Sequence, residues 1–218
     1  MHQKFIEIIE TMIHLPDYEK DLCYQYFTPV VYPRNTIIEA QGKVPKYLYF
    51  IISGYMRNFH FDDLGNEITV DMNHAPRFFA SYHHFVNRTI SSENIECITD
   101  CELLRCKRDD LDALFEKSPI IIKNEMQTLQ KAFDDERNRV IDNITLTAER
   151  RYLKFINEHP STLQNVPLQY IASYLGMKPE SLSRIRKKFL NKNQVDWVEV
   201  DGTLRFQWRT HIVKCSLF

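Results

Sequence analysis

The sequence predicts an α+β fold in which a barrel or sandwich of short strands precedes a long helix and a C-terminal winged helix-turn-helix. Three observations indicate this architecture. Short runs of β-branched and aromatic residues alternate with turn residues from Pro29 to about Arg108. Helical spacing of apolar residues then returns from Pro119 to about Asn143. Two short amphipathic helices and a hairpin pattern close the chain.

The N-terminal region is predicted to be helical over residues 1–28, because Phe5, Ile8, Ile9 and Met12 recur at helical spacing. Short strands are predicted to follow it. Their ranges are 30–32, 36–38, 47–52, 55–59, 67–72, 95–98 and 102–106. Many short strands separated by glycine-containing turns are typical of a β-barrel or a sandwich.

The central region is predicted to form two helices, a short one over residues 109–116 and a long one over residues 119–143. The apolar positions of the long helix follow a heptad-like spacing. They are Ile122, Met126, Leu129, Phe133 and Val140. A stripe this narrow needs a partner, and we interpret it as a homodimer seam. Packing against the strands of the same chain is the alternative interpretation.

Two short helices that hinge on Gly176 are predicted next. Ile171, Ala172 and Leu175 share one face of the first helix, and the small Ala172 lets a second helix cross close to it. Glycine suits the turn because it adopts a positive φ at little cost. This spacing is typical of a helix-turn-helix, which indicates binding to duplex DNA.

The second of these helices is predicted to begin near Pro179, and Leu182, Ile185 and Phe189 form its buried stripe. In a helix-turn-helix this helix enters the major groove. The predicted DNA-contacting residues are Lys178, Pro179, Glu180, Ser181, Ser183, Arg184, Lys187 and Lys188. The alternative interpretation is an amphipathic surface helix with a solvated basic face.

Charge divides the chain into two predicted domains, 1–143 and 144–218. The second holds 12 Lys plus Arg and 6 Asp plus Glu, a net charge of +6, whereas the first holds 16 and 23, a net of −7. Such asymmetry favours nucleic-acid binding by the basic part. Residues 195–206 alternate about Asp201-Gly202, which predicts a tight hairpin and therefore a winged helix.

Composition excludes several other classes of protein. No apolar run approaches the ~20 residues of a membrane span, and the N-terminus lacks a signal-peptide core, so we expect a soluble cytoplasmic protein. The five cysteines are odd in number and lack zinc-site spacing, and Cys97, Cys101 and Cys106 are expected to be small core residues. The sequence contains no nucleophile elbow, P-loop or metal triad, so we do not expect an enzyme.

Several motifs together resemble the CRP/FNR family of bacterial transcription regulators, from about Tyr18 to Phe206. They are Gly42-x-Val44-Pro45-x-Tyr47, Ser53-Gly54-x-x-Arg57, Asp63-x-Gly65-x-Glu67, Arg150-Arg151-Tyr152-Leu153 and Ile171-Ala172-Ser173-Tyr174-Leu175-Gly176. The resemblance implies an N-terminal β-roll (a double-stranded β-helix, or jelly-roll barrel) of eight strands, a long dimerisation helix and a C-terminal winged helix-turn-helix. It also implies double-stranded DNA and a second copy of the chain as partners, with RNA polymerase as a further candidate.

The family's base-reading pattern Arg-Glu-x-x-x-Arg is matched in part. Glu180 and Arg184 fit, whereas Pro179 replaces the first arginine. A glutamate accepts from a cytosine amino group, and an arginine binds guanine through two hydrogen bonds. Lys178, Lys187 and Lys188 are expected to contact phosphates, which set position rather than sequence.

The effector region departs from the family pattern. Family members that bind cyclic nucleotides carry Gly-Glu, followed about ten residues later by Arg-Ser. Here Ala80 and Ser81 replace Gly-Glu, Ser91 replaces the arginine, and only Ser92 remains. A phosphate without its cation suffers an uncompensated desolvation cost, so cyclic AMP is not expected. No other cofactor is predicted, and the identity of any other effector stays open. Arg88 lies nearby in the sequence. It could supply the cation of an anion site, and the alternative interpretation is an arginine of a surface loop.

Two weaker alternatives complete the predictions. His83 and His84 invite a metal site, but neighbours on a strand point to opposite faces and no third ligand is evident, so no metal is predicted. Nothing favours haem. The alternative function is a small-molecule sensor that acts mainly through protein–protein contacts, with no role for the basic helix.

Overall fold

The computed structural model describes residues 1–11, 13–191, 195–200 and 203–208. Two helices open the chain, α1 (His2–Glu10) and α2 (Asp17–Tyr26). The prediction of continuous helix over residues 1–28 is wrong. Pro16, the N-cap of α2, has no amide hydrogen to donate within a helix, and α1 and α2 are therefore separate helices.

Eight strands form two four-stranded antiparallel sheets. Their bounds are β1 (Thr28–Tyr32), β2 (Ile37–Glu39), β3 (Tyr47–Ser53), β4 (Tyr55–Phe61), β5 (Glu67–His74), β6 (Arg77–Phe79), β7 (Asn94–Cys97) and β8 (Cys101–Lys107). Sheet A has the order β1-β8-β3-β6 and sheet B the order β2-β7-β4-β5. All the predicted strands are present, and the three-residue strand β6 was not predicted.

Strand β3 explains why one run of the sequence is apolar without alternation. Tyr49 and Ile51 pack between the two sheets, together with residues of β4, β7 and β8. Leu48, Phe50 and Ile52 point to the opposite face of sheet A, where they pack against α1 and the helix that follows β8. Because both faces of β3 are buried, the burial of each side chain favours an apolar residue at every position.

Three helices accompany the sheets, α3 (Tyr82–Asn87), α4 (Arg108–Lys117) and α5 (Pro119–Thr145). The predicted helices over 109–116 and 119–143 are confirmed to within two residues at each end. Helix α5 begins at Pro119, after Ser118, whose hydroxyl accepts from the Ile121 amide at 3.1 Å. The same hydroxyl donates to the buried Glu19 carboxylate at 2.6 Å, which ties the start of α5 to α2.

The C-terminal helices are α6 (Ala148–Glu158), α7 (Thr162–Asn165), α8 (Leu168–Tyr174) and α9 (Pro179–Asn191), followed by β9 (Val195–Val200) and β10 (Thr203–Trp208). Strands β9 and β10 pair antiparallel, with Val200 opposite Thr203. The predicted hairpin turn at residues 201–202 lies outside the described residues. Helix α7 was not predicted, because its four residues are too few for helical periodicity to be recognised.

Sheet B meets the C-terminal helices along β4 and β5. Arg57 of β4 is 1% exposed, and its guanidinium stacks on the Tyr170 ring of α8. Strand β5 lies at the edge of sheet B, and its Thr69 amide donates to the Ser173 hydroxyl of α8 at 2.8 Å. A hydroxyl therefore occupies a position where an edge strand would otherwise leave an amide unpaired.

Candidate functional site

The turn between α8 and α9 has the geometry predicted for it. Gly176 has φ 63°, in the left-handed region, as expected. The Gly176 amide donates to the Ser173 carbonyl and the Met177 amide to the Ala172 carbonyl, both at 3.0 Å. This pair of bonds is the Schellman motif, which satisfies the carbonyls at the end of a helix and reverses the chain.

The inner faces of α8 and α9 share one apolar cluster with α6. Ile171, Ala172 and Leu182 are completely buried, and Ile185 is 8% exposed. They pack with the buried aromatic and aliphatic side chains of α6. The crossing at Ala172 and the buried stripe of the second helix therefore agree with the sequence prediction.

The outer face of α9 presents most of the predicted DNA-contacting residues to solvent. The exposed ones are Lys178, Pro179, Glu180, Ser181, Arg184, Lys187 and Lys188. Ser183 is half-buried. No ion pair joins Arg184 or Lys187 to another of the described residues, so their charges are available to a ligand.

The cations of α9 are not equivalent. Lys188 forms an ion pair with Glu149 of α6, with 2.5 Å between Nζ and Oε1. Arg186 is half-buried beside Tyr152, where burial raises the pKa of the tyrosine hydroxyl and Arg186 opposes that shift. Neither partner was predicted, since Glu149 and Tyr152 each lie more than 30 residues before the cation that they contact. Among the described side chains of α9, Arg184 and Lys187 are the exposed cations without an ion pair.

The predicted effector residues do not form one group. Ser81 and Ser91 are buried, with 3.2 Å between their hydroxyl oxygens. The Ser81 hydroxyl donates to Glu93 Oε1 at 2.7 Å, and the Ser91 hydroxyl accepts from the Glu93 amide at 3.1 Å. Asn58 Nδ2 donates to the other oxygen of the same carboxylate at 2.5 Å. Glu93 was not predicted, because it belongs to no motif.

The other three predicted effector residues lie apart from this network. Ala80 is half-buried against the apolar cluster on the helix side of sheet A. Arg88 is exposed and pairs with Asp109 at 2.5 Å and Asp112 at 3.5 Å. Ser92 is exposed on the surface. Arg88 is therefore engaged with carboxylates of α4 rather than with the buried serines.

The histidine pair does not lie on a strand. His83 and His84 are in helix α3, with 5.2 Å between ring centres, so the reasoning from opposite strand faces was wrong. A helix places neighbours about 100° apart. The His84 ring is hydrogen-bonded to the Thr89 hydroxyl at 3.0 Å. Among the described residues, no group of three or more His, Cys, Asp or Glu is arranged to hold a metal ion.

Helix α5 carries an apolar face that its own chain does not cover. Met126, Phe133 and Val140 of the predicted seam are exposed by 67%, 69% and 51%. Ile144, one turn further, is exposed by 79%. Ile122 and Leu129 are half-buried. Intramolecular packing therefore leaves much of the predicted stripe in solvent.

A cleft of about 340 Å³ lies between β5, α5, α6 and α8. Several of its charges pair with each other: Lys154 with Asp142 at 2.5 Å, and Arg139 with Glu136 at 2.7 Å. None of the predicted effector residues lines this cleft. In the part of the chain that the structure covers, no helix is long and apolar enough to cross a membrane.

Comparison with known proteins places this arrangement in a wider group. The family model of the cyclic nucleotide-binding domain matches residues 29–118. The cyclic AMP receptor protein of Thermus thermophilus is 25% identical over 179 residues, which cover 77% of this chain and 79% of that protein. FixK2 from Bradyrhizobium japonicum matches with a TM-score of 0.69 and 15% identity over 84% of this chain and 92% of that one. A regulator of Eubacterium rectale assigned to the CRP/FNR family matches with a TM-score of 0.64 and 18% identity, over 88% and 90%.

The chain therefore contains a cyclic nucleotide-binding domain. Its structure, with two four-stranded antiparallel sheets and C-terminal helices, matches the CRP/FNR family of transcription regulators, and the resemblance drawn from the sequence motifs is confirmed. The similar structures include two that are described as regulators, the c-di-GMP responsive global regulator CLP of Xanthomonas campestris and the Eubacterium rectale protein.

Proposed function

We propose that the chain is a homodimeric, sequence-specific DNA-binding transcription regulator that does not respond to cyclic AMP. Residues 1–143 form the effector and dimerisation domain, and residues 144–218 form a winged helix-turn-helix. The observation that carries the proposal is the free cationic face of α9, with Arg184 and Lys187 exposed beside a turn of the required geometry.

Base reading is assigned to the N-terminal half of α9, which enters the major groove first. Glu180 and Arg184 are one turn apart on its exposed face, so both reach the same groove floor. Lys178 and Lys187 flank them and contact phosphates, which set the orientation of the helix. The net charge of +6 on residues 144–218 supports this role.

The direct test is selection of duplex DNA from a random pool, followed by measurement of binding at fixed salt. We expect a two-fold symmetric site with half-sites about one helical turn apart. Arg184→Ala should weaken binding roughly 5- to 150-fold, the equivalent of about 1–3 kcal/mol. Lys107→Ala removes an exposed cation of β8 and serves as the control. Unchanged affinity of Arg184→Ala, or no preferred site, would contradict the proposal.

Dimerisation is assigned to the exposed face of α5. In a dimer, Met126, Phe133 and Val140 would be covered by the same residues of a second copy, as in a two-fold seam. Phe133→Asp should convert the dimer to a monomer in sedimentation velocity. Asn138→Asp adds the same charge on a different side of α5 and should leave the dimer intact. A wild-type chain that sediments as a monomer at all concentrations would refute this part.

The absence of a cyclic AMP response is inferred from the network around Glu93. A carboxylate already accepts hydrogen bonds from Ser81 and Asn58 where the resemblance would place the phosphate-binding side chains. A second anion there would meet repulsion rather than a cation. Titration of the full chain with cyclic AMP should give no saturable heat at concentrations up to about 1 mM. Micromolar binding would overturn the inference.

A sensor that acts through protein–protein contacts is the second candidate, supported by the uncovered apolar face of α5. The dependence of DNA affinity on salt separates the two functions, because phosphate contacts make affinity fall steeply as salt rises. RNA polymerase stays a predicted partner of the regulator.

A further inference from the structure

Two cysteines face each other at the turn that joins the two sheets. Cys97 ends β7 of sheet B, and Cys101 begins β8 of sheet A. Their side chains lie in the same apolar cluster, 0% and 1% exposed. The two thiols are hydrogen-bonded to each other. Three residues therefore separate two sulfur atoms that are already in contact.

The surrounding backbone holds this pair in place. The Cys97 amide donates to the Thr36 carbonyl at 2.9 Å. Cys101 Sγ lies 3.3 Å from the Thr99 carbonyl and 3.5 Å from the Tyr55 carbonyl. A Cβ added at Gly54 would come within 2.5 Å of the same sulfur, so the chain reversal between β3 and β4 is packed directly on it.

The turn between the cysteines also contacts the C-terminal helices. Ile98 is 2% exposed and belongs to the apolar cluster of α6, α8 and α9. Its amide donates to the Tyr55 carbonyl at 2.8 Å. The Tyr55 hydroxyl accepts from Asn165 Nδ2 of α7 at 3.2 Å. Any change at the two sulfurs therefore acts on residues that position the helices of the proposed DNA-binding domain.

We propose that Cys97 and Cys101 form a reversible disulfide, and that its formation alters the docking of the C-terminal helices onto sheet B. The oxidant is a small disulfide such as glutathione disulfide. One cysteine thiolate attacks a sulfur of the oxidant and releases one glutathione thiolate, and the second cysteine then displaces the other. Overall, two protein thiols and one glutathione disulfide give one protein disulfide and two glutathione thiols.

Cys101 differs from the other described cysteines, all of whose pKa values are raised, that of Cys97 mainly by its hydrogen bond with Cys101. Burial raises the pKa of both Cys23 and Cys106 to about 12, which keeps them protonated and unreactive. The hydrogen bond from Cys97 lowers the pKa of Cys101, which makes Cys101 the thiol that ionises first. Asp100 beside the pair is exposed, whereas Ile98 and both cysteines are buried, so the reaction requires a local opening of residues 98–100.

Oxidation changes the turn in two ways. A disulfide holds its sulfurs about 2.05 Å apart, closer than two thiols in hydrogen-bond contact, so residues 97 and 101 are drawn together. The Cys101 thiol also loses the hydrogen that it directs to the Tyr55 carbonyl. Both changes act at Ile98 and Tyr55, the two residues through which the turn contacts the C-terminal helices.

The first test identifies the bond by mass. The full chain is treated with glutathione disulfide, alkylated and digested with trypsin. Both cysteines fall in the single tryptic peptide 89–105, because no Lys or Arg lies between Arg88 and Arg105. After oxidation we expect this peptide to be two hydrogens lighter than the reduced peptide and to resist alkylation. Dithiothreitol should restore both the reduced mass and the alkylation.

Controls separate the pair from the other thiols. Cys97→Ser should abolish the lighter peptide, and Cys106→Ser should leave it unchanged. If both cysteines of peptide 89–105 remain fully alkylated after treatment, or pair only with Cys106 or with a second molecule, the disulfide proposal is wrong.

The second test concerns docking. Amide hydrogen exchange of residues 162–174 is compared in the oxidised and reduced chain, with treated Cys97→Ser as the control. We expect exchange about tenfold faster when oxidised, because looser docking raises the population of open states. Equal exchange with the disulfide present would refute the effect on docking. Neither measurement depends on DNA. Failure of the disulfide proposal can therefore be distinguished from failure of the proposed function.

Discussion

The guanidinium carbon of Arg57 lies 3.6 Å from the centre of the Tyr170 ring and 4.1 Å from that of Phe59. Arg57 Nε donates to Glu96 at 2.7 Å, and a further bond joins the guanidinium to Glu67. A buried cation of sheet B is thus neutralised by carboxylates of its own sheet and covered by an aromatic ring of the C-terminal helices. This relationship couples the stability of the two parts of the chain.

A double-mutant cycle measures the coupling between Arg57 and Tyr170. Arg57→Met should cost about 3–5 kcal/mol of unfolding free energy, because it leaves the Glu96 carboxylate buried without its cation. Tyr170→Leu keeps apolar volume but removes the ring, and we expect a coupling energy of roughly 1–2 kcal/mol in urea unfolding. Tyr18→Leu, at an exposed tyrosine, is the control. Strict additivity of the two substitutions would contradict the coupling.

Alanine substitutions at Gly54 and Gly65 should differ in their cost in unfolding free energy, because only one of the two added Cβ atoms would clash with neighbouring atoms. Both Gly54 and Gly65 have positive φ, 107° and 80°. A Cβ at Gly54 would lie 2.5 Å from Cys101 Sγ and 2.6 Å from the Asp100 carbonyl oxygen, whereas a Cβ at Gly65 would meet nothing within 4 Å. Gly65→Ala should cost about 1–2 kcal/mol, the strain alone. Gly54→Ala should cost roughly 2–5 kcal/mol, since overpacking is added.

Urea unfolding of the two glycine variants provides the measurement. Both substitutions change the backbone preference in the same way, so their difference isolates the steric part. Equal losses at Gly54 and Gly65 would mean that the turn moves freely away from the Cys101 sulfur.

Lys187 and Lys188 are adjacent cations with different surroundings, so they should differ in DNA binding. Lys187→Ala should reduce the slope of log affinity against log salt by about 0.9, the loss of one phosphate contact. Lys188→Ala should change the slope less, because Glu149 already pairs with Lys188. Glu149→Gln frees Lys188 and should raise the affinity and steepen the slope. Identical slopes for the two lysine variants would show that the Glu149 pair opens on DNA.

His159 predicts a dependence of stability on pH. Burial lowers its pKa below the ordinary value of 6.5, with His74 and Arg77 acting in the same direction, and Asp135 and Asp71 opposing them. The unfolded chain therefore binds a proton more readily than the folded chain. The contribution of neutral His159 is present above pH 6.5 and is lost as the pH falls from that value toward the folded pKa.

Unfolding free energies of the wild type and His159→Gln from about pH 7.5 to about pH 5.5 test this dependence. The wild type should lose stability relative to the variant across that range. His83→Gln, at an exposed histidine, should follow the wild type. Parallel curves for the wild type and His159→Gln would exclude a role for His159.

The sequence predicted the elements whose pattern is long or chemically marked. Strand β3 has a continuous apolar run, α5 has heptad-like spacing, and the α8–α9 turn has Gly176 and Pro179 at fixed offsets. Helix α3, strand β6 and helix α7 have between three and six residues, too few for a period to repeat. Residues 83 and 84 were misplaced on a strand for this reason.

The candidate site divides in the same way. The exposed face of α9 follows from periodicity within one helix, so it was predictable. The partners of the buried groups are remote in sequence: Asn58 binds Glu93 across 35 residues, and Lys188 binds Glu149 across 39. Such contacts depend on strand order and helix docking, which no local pattern encodes.

The hydrogen bond between the Thr69 amide and Ser173 gives the C-terminal helices a protective role. Without these helices, β5 would be an exposed edge strand with unpaired backbone amides and carbonyls. The β5 strand of another molecule could then pair with it. A fragment that ends after α5 would therefore be prone to self-association through strand addition. We therefore expect the solubility of the N-terminal part to depend on the C-terminal helices.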